Sequence, residues 1–334
     1  MAQKILIIQT ASLGDVILST SLGEILYKQY PDASIDYLIK KGYQQLFNGH
    51  PFVNKVHVWD KSVNKYKNLV NLALKIRRLK YDAVINVQRF ASSGFISALS
   101  GASFRSGFTK NPLSFTFSHK VAHDIKGNIH EIYRNLELIK PLISTELLRP
   151  RLYPTSKDLE FTQQWKNKFY VTISPASLYF TKQLPAGKWI ELIQNLSTST
   201  NVILLGGQQD NTLCETIVDS CKSVKVVNLA GKLTLLQSAS IMKDAIMNYV
   251  NDSAPQHIAS AVNAPVTTVY CSTVPAFGFG PLSDNSTIIE TNISLSCRPC
   301  GLHGYKKCPE GHFKCAQTIS LSQLLLPMTY ERRD

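Results

Sequence analysis

Read only as polar and apolar positions, the chain alternates between two textures. Short unbroken apolar runs rich in Ile and Val suit inner strands of a parallel sheet covered on both faces, and longer runs with apolar residues every three or four positions suit helices. The stretch ILIIQTASLGDVILSTSLGEIL at 5–26 contains both: a strand over 5–8, a loop over 9–13, and a helix whose period resumes at Val16. Further strands are predicted at 35–39, 55–59 and 81–90, with a short helix after 39 and an amphipathic helix over 69–79 that aligns Leu72, Ile76 and Leu79. This βαβ rhythm predicts an α/β fold with a doubly wound parallel sheet in the first half.

The pattern weakens over 90–118, a segment rich in Ser, Gly and Phe, where a helix over 94–99 and a small strand over 105–108 are expected among loops. Its Phe residues either cover an apolar part of a ligand or pack the domain edge. A helix over 130–138 precedes a stretch with Pro141, Pro150 and Pro154, which reads as an inter-domain linker. The rhythm then restarts. Helices are predicted at 159–165, 184–196, 213–221, 235–242 and within 251–265, and strands at 169–177, 201–207, 225–229, 245–250 and 266–271. A last helix is expected over 320–326. Two α/β domains with a cleft between them follow, at 1–150 and 151–316, with 317–334 as a C-terminal segment.

Composition agrees with two folded domains: 334 residues is long for one core, and 44% hydrophobic with 18% charged residues excludes a disordered chain. No leader-like segment and no apolar run of about 20 residues is present, so a cytoplasmic protein is expected. The formal charge of +13 is densest over 55–80, and such a surface attracts nucleic acid, anionic lipid or phosphorylated small molecules. Seven cysteines without a secretory signal suit free thiols or metal ligands better than disulfides.

Candidate chemistry gathers at strand ends. Gly14 and Asp15 follow the first strand, at the carboxyl edge where open α/β sheets bind ligands, although Asp15 also suits a helix cap. NDSAPQHIA at 251–259 follows a strand and opens a helix. Asp252 and Ser253 occupy the turn, Ala254 and Pro255 the helix start, and His257 the next half-turn, an arrangement that either caps a helix or receives phosphate. Gly206 and Gly207 end another strand and permit a tight turn or close ligand approach. Lys182, in a loop after Ser177, offers a point charge for phosphate. Neither a P-loop nor a GxGxxG occurs. Cys297, Cys300, Cys308 and Cys315, with His303 and His312 nearby, form a candidate tetrahedral zinc site; reduced thiols in a structured loop are the alternative.

The opening stretch resembles the N-terminal signature of bacterial ADP-heptose:lipopolysaccharide heptosyltransferases, glycosyltransferase family 9. Further similarities follow in order: INVQR at 85–89, FRSGF at 104–108, SPAS at 174–177 with KQLP at 182–185, LAGKLTLLQ at 229–237 and NDSAPQHIASAVNAPVTTVY at 251–270. The resemblance implies a GT-B fold, two Rossmann-like domains facing each other, with the C-terminal segment returning to the first. It implies Asp15 as catalytic base, Gly14, Arg89 and Arg105 toward the acceptor, and Ser177, Lys182, Gly206, Asp252, Ser253, Ala254 and His257 toward the donor. Ala176 and Ala254 stand where the pattern has glycine and Gln183 where an aromatic or basic residue is familiar, which leaves a different nucleotide sugar open.

The implied reaction is inverting transfer of a heptose from ADP-heptose to the anionic inner core of lipopolysaccharide. Asp15 would take the acceptor proton, and Lys182 with a helix N-terminus would stabilise the leaving diphosphate, with no cofactor for catalysis. A monomer touching the inner membrane peripherally is expected, and the basic surface then has a partner. The competing class, a basic zinc-binding nucleic-acid-associated protein, rests on the cysteines and the charge alone. The cations are not interleaved with aromatics as in a nucleic-acid module, so no nucleic acid is expected.

Overall fold

The protein is described here by a computed structural model covering residues 4–125, 127–166, 169–197 and 199–330. It divides into two compact units, 1–153 and 154–334. The first carries β1 (Lys4–Ile8), α1 (Leu13–Gln29), β2 (Ser34–Lys40), β3 (Val53–Trp59), α2 (Lys65–Arg78), β4 (Ala83–Asn86), α3 (Ala91–Leu99), β5 (Phe104–Phe108), β6 (His119–Val121) and α4 (Glu131–Leu136). Its six strands pair in parallel in the order β3-β2-β1-β4-β5-β6. The chain winds outward from β1 through β3, then crosses back to lay β4 on the other side of β1. The loops after β1 and β4 therefore meet at the topological switch point.

Ile5 to Ile8 are fully buried, as a central strand covered on both faces requires. Leu72, Ala73 and Ile76 of α2 pack with Ile96 of α3 over Leu6, Ile8, Leu38 and Val84. Helix α1 is buried nearly all round, polar positions included, because the proline-containing stretch that ends the first unit straps across it. Ser21 Oγ donates to Leu148 O (2.6 Å), Arg151 N donates to Thr20 Oγ1 (3.0 Å), and Tyr153 Oη donates to Glu24 Oε1 (2.9 Å). The Phe-rich segment divides: Phe108 and Phe117 are buried, the latter against Gly107, while Phe90 and Phe115 are exposed.

The second unit carries α5 (Ser156–Thr162), β7 (Tyr170–Ser174), α6 (Ala186–Gln194), β8 (Asn201–Leu204), α7 (Asn211–Ser220), β9 (Val226–Asn228), α8 (Leu235–Lys243), β10 (Met247–Asn251), α9 (Ala254–Ala261), β11 (Val266–Tyr270), β12 (Ser286–Glu290), α10 (Lys314–Gln317) and α11 (Leu321–Tyr330). Its parallel order is β12-β11-β10-β7-β8-β9, with the switch between β7 and β10. Trp189, Leu192 and Ile193 of α6 sit in the core with Val171, Ile173 and Leu204. Leu324 of α11 is buried in the same core, so this helix is anchored by the second unit. Strands β6 and β12 had no counterpart in the pattern. The first has three residues, and the second is an edge strand in which only Ile289 is buried. No described helix is long and apolar enough to cross a membrane.

Candidate active site

At the first unit's switch point, Gln88 donates through Nε2 to Gln9 Oε1, and Val87 N donates to Ile8 O (3.1 Å), so the loops after β4 and β1 are tied together. Asn111 fixes the β4 loop further, its Nδ2 donating to Gln88 O (3.1 Å) and Phe90 O (3.0 Å). Asp15 lies three residues into this platform as half of a capping box. Its Oδ2 accepts from Ser12 N (3.1 Å) and Ser12 Oγ (2.5 Å), while Ser12 Oγ accepts from Asp15 N. Capping and chemistry are thus compatible, because a carboxylate has lone pairs to spare after two such bonds. Burial pushes the Asp15 carboxyl above the ordinary aspartate range. The Ser12 hydroxyl pulls it down, Glu131 pushes it up, and Arg89 pulls it down.

Arg89 and Glu131 belong to a buried ionic chain around Asp15. Arg89 Nη1 lies 3.4 Å from His123 Nδ1, His123 Nε2 lies 3.2 Å from Glu131 Oε2, and Arg134 Nε donates to the same oxygen at 2.7 Å. Burial alone would raise the Glu131 carboxyl, but His123 and Arg134 together outweigh it and hold it below its usual value. Sequence reading missed His123, Glu131 and Arg134. Their signal was present, since 123–134 holds seven charged or titratable positions beside apolar ones, but nothing local connects them to residue 15. Arg105, expected to face the acceptor, lies within β5 before its last three residues. It pairs in register with Val84, which pairs with Leu6, away from the strands' carboxyl ends. Its guanidinium is engaged by main-chain carbonyls, donating through Nε to Thr116 O (3.0 Å) and through Nη1 to Ala102 O.

The second unit's switch point holds the loop after β7 and the turn after β10. Asn251, wholly buried, is the clasp: its Oδ1 accepts from Leu184 N (2.9 Å) and its Nδ2 donates to Pro175 O (2.8 Å). The loop closes on itself where Gln183 Nε2 donates to Ser177 O (2.6 Å), so Gln183 has an architectural use. Lys182 Nζ reaches Asp252 Oδ2 at 2.7 Å, and Thr273 Oγ1 donates to that oxygen at 2.6 Å. Asp252 therefore positions the ammonium. Ser253 is the N-cap of α9 and its side chain makes no capping bond to the first turn; its Oγ lies 3.3 Å from Asn251 O. Ala254 and Pro255 open α9, and His257 is buried within it. Gly206 follows β8, which pairs with β7, and its carbonyl accepts from Gly231 N (2.9 Å). A Cβ there would lie 2.9 Å from Asp210 Cβ. Ser177, Lys182, Gly206, Asp252 and Ser253 thus lie past the carboxyl ends of three adjacent strands, beside a helix N-terminus, an arrangement suited to phosphate.

The cysteine-rich segment packs against this loop. Tyr305 N donates to Thr181 Oγ1 (2.7 Å), Thr181 N donates to Tyr305 O (3.1 Å), and Cys300 N donates to Ser272 O (2.8 Å). Gly304, at φ +75°, sits where a Cβ would press on Thr181 and Lys182 at 2.9 and 3.0 Å. Cys297 Sγ lies 4.0 Å from His312 Nε2, and the Cys315 thiol is pushed up to about 11 by burial and then by Cys300, Cys308 and Cys297. Among the described residues, no three such side chains are already arranged around a metal position.

The sequence profile of glycosyltransferase family 9 (heptosyltransferase) matches residues 69–307. The lipopolysaccharide heptosyltransferase 3 of Escherichia coli is 27% identical over 292 residues, covering 81% of this chain and 84% of the relative. The lipopolysaccharide heptosyltransferase 1 of Campylobacter coli is 25% identical over 317 residues, covering 88% and 91%. The solved structure of a family 9 glycosyltransferase from Veillonella parvula superposes with a TM-score of 0.86 at 21% identity, covering 98% and 96%. With that profile spanning more than half its length on two parallel α/β sheets, the chain belongs to glycosyltransferase family 9, the heptosyltransferases, and is a glycosyltransferase.

Proposed function

We propose that the protein transfers a heptose from ADP-heptose to the anionic inner core of lipopolysaccharide, with inversion. The observation that carries this reading is Asp15, a carboxylate raised by burial and set at the carboxyl edge of the first sheet's switch point. A raised carboxylate is a better base while remaining a modest one, as removal of a sugar hydroxyl proton in a displacement requires. The acceptor oxygen forms a bond to the anomeric carbon, the bond from that carbon to the diphosphate breaks, and the hydroxyl proton passes to Asp15. ADP departs with the electron pair. Lys182 and the N-terminus of α9 stabilise the charge that builds on it.

Gly14 and Arg89 flank the acceptor end, and Ser177, Gly206, Asp252, Ser253, Ala254 and His257 shape the donor end. The names of the relatives support the sugar and the acceptor. The enzyme works as a cytoplasmic monomer in peripheral contact with the inner membrane. Catalysis uses no metal; the four cysteines hold a structural zinc that braces the loop of Lys182, a reading supported by the bonds between that loop and the cysteine-rich segment. The methyl groups of Ala176 and Ala254 favour a second reading within the same chemistry, another nucleotide sugar.

The test is turnover of a panel of nucleotide sugars with a purified core acceptor. Asp15→Asn keeps an oxygen for the Ser12 N–H, so the cap and donor binding survive while transfer falls by about 10²–10⁴-fold. Lys182→Met loses donor affinity instead. Transfer by Asp15→Asn within tenfold of the parent, on the order of what a non-catalytic polar change costs, sinks the reading.

A further inference from the structure

Helix α2 carries two apolar stripes, and the core uses one. Leu69, Leu72, Ala73 and Ile76 face the sheet. Tyr66, Val70 and Leu74 recur every fourth residue on a neighbouring strip and stay in solvent, at 74%, 45% and 45% exposure, continuing Val63 at 61% just before the helix. At about 100° per residue, the next arc beyond this strip holds Lys67, Arg78 and Lys75, all exposed. From Lys61 to Tyr81 the sequence has seven cations and no acidic residue. We propose that this face of α2 docks the protein on an anionic lipid bilayer, with the apolar strip entering the headgroup boundary and the cations meeting lipid phosphates.

An apolar strip bordered by lysine and arginine is what an interfacial helix needs, since burial of the strip and attraction to anionic headgroups act together. A second copy of the chain is a poor occupant, because a symmetric pairing of α2 sets like charges against each other. The strip also adjoins the site. Lys61, two residues before Val63, donates to Thr10 O (2.8 Å) in the loop between β1 and α1, and its ammonium lies 4.5 Å from the centre of the Trp59 ring. Docking α2 therefore brings the Asp15 loop beside the lipid surface. The inference rests on the proposed acceptor being membrane-held and adds which element holds the enzyme there.

The test is co-sedimentation of the full chain with vesicles of phosphatidylcholine alone or mixed with phosphatidylglycerol, at low and high salt. The parent protein should pellet with the anionic vesicles, less so in high salt. Lys67→Gln/Lys75→Gln/Arg78→Gln should lose about fivefold in affinity per charge removed, and Tyr66→Ser/Val70→Ser/Leu74→Ser about tenfold or more. Both variants should transfer sugar to a lipid-free acceptor at the parent rate. Equal binding to neutral and anionic vesicles overturns the inference, as do variants that bind like the parent or a parent dimer that the serine variant converts to monomer. Transfer without vesicle binding defeats only this inference; vesicle binding without transfer defeats only the proposed reaction.

Discussion

Asn251 offers the sharpest check on how the donor loop is held. Its side chain satisfies two main-chain groups at 2.9 and 2.8 Å, the amide of Leu184 and the carbonyl of Pro175, which bracket the loop bearing Lys182. Asn251→Ala strands both in a site with no exposure. At about 1–3 kcal/mol for each buried group left unpaired, a loss of about 3 kcal/mol is expected, or roughly 6–12 °C in the Tm of the second unit. Asn251→Asp separates hydrogen bonding from packing. It keeps an acceptor for Leu184 but turns a carboxylate oxygen toward the Pro175 carbonyl, so at neutral pH it should be at least as damaging as alanine. Protonation lets that oxygen donate, so the folded carboxyl has a raised pKa and the lost stability returns as pH falls through it. Urea denaturation across pH, with donor binding alongside, reads both effects. An alanine variant within about 1 kcal/mol of the parent, or an aspartate variant as stable as the parent at neutral pH, refutes the clasp.

Two further predictions concern charge and metal. The base must be ionised to work, so kcat should fall as pH drops through the raised pKa of Asp15, with an acid limb above the ordinary aspartate value of 3.8. Arg89→Leu removes an influence that lowers this pKa and should move the limb up, whereas Glu131→Gln removes one that raises it and should move the limb down; shifts of the same sign would refute the coupling. Zinc held by Cys297, Cys300, Cys308 and Cys315 should appear at one equivalent per chain by metal analysis, and its chelation should weaken donor binding while leaving the first unit's unfolding unchanged. A fully active metal-free protein would dismiss it.

The sequence by itself determined the order of the central strands and their covering helices, because a strand covered on both faces must be apolar throughout and a helix on a sheet must repeat its apolar stripe. Ile5 to Ile8, the helix of Trp189 and the turn at Asp252 to Pro255 are readable for that reason. Tertiary structure decided what pairing over distance decides. It added β6 and β12, whose pairing with neighbours supplies what their own patterns lack. It strapped residues 144–153 across α1, burying serines and threonines that a helical period would leave in water. It engaged Arg105 with main-chain carbonyls and brought His123, Glu131 and Arg134 toward Asp15. It paired Lys182 with Asp252 across 70 positions and closed the loop with Asn251. A residue's own neighbours in sequence set its backbone preference and its face. The charge it meets, and hence its pKa and its use, depends on which strands lie side by side.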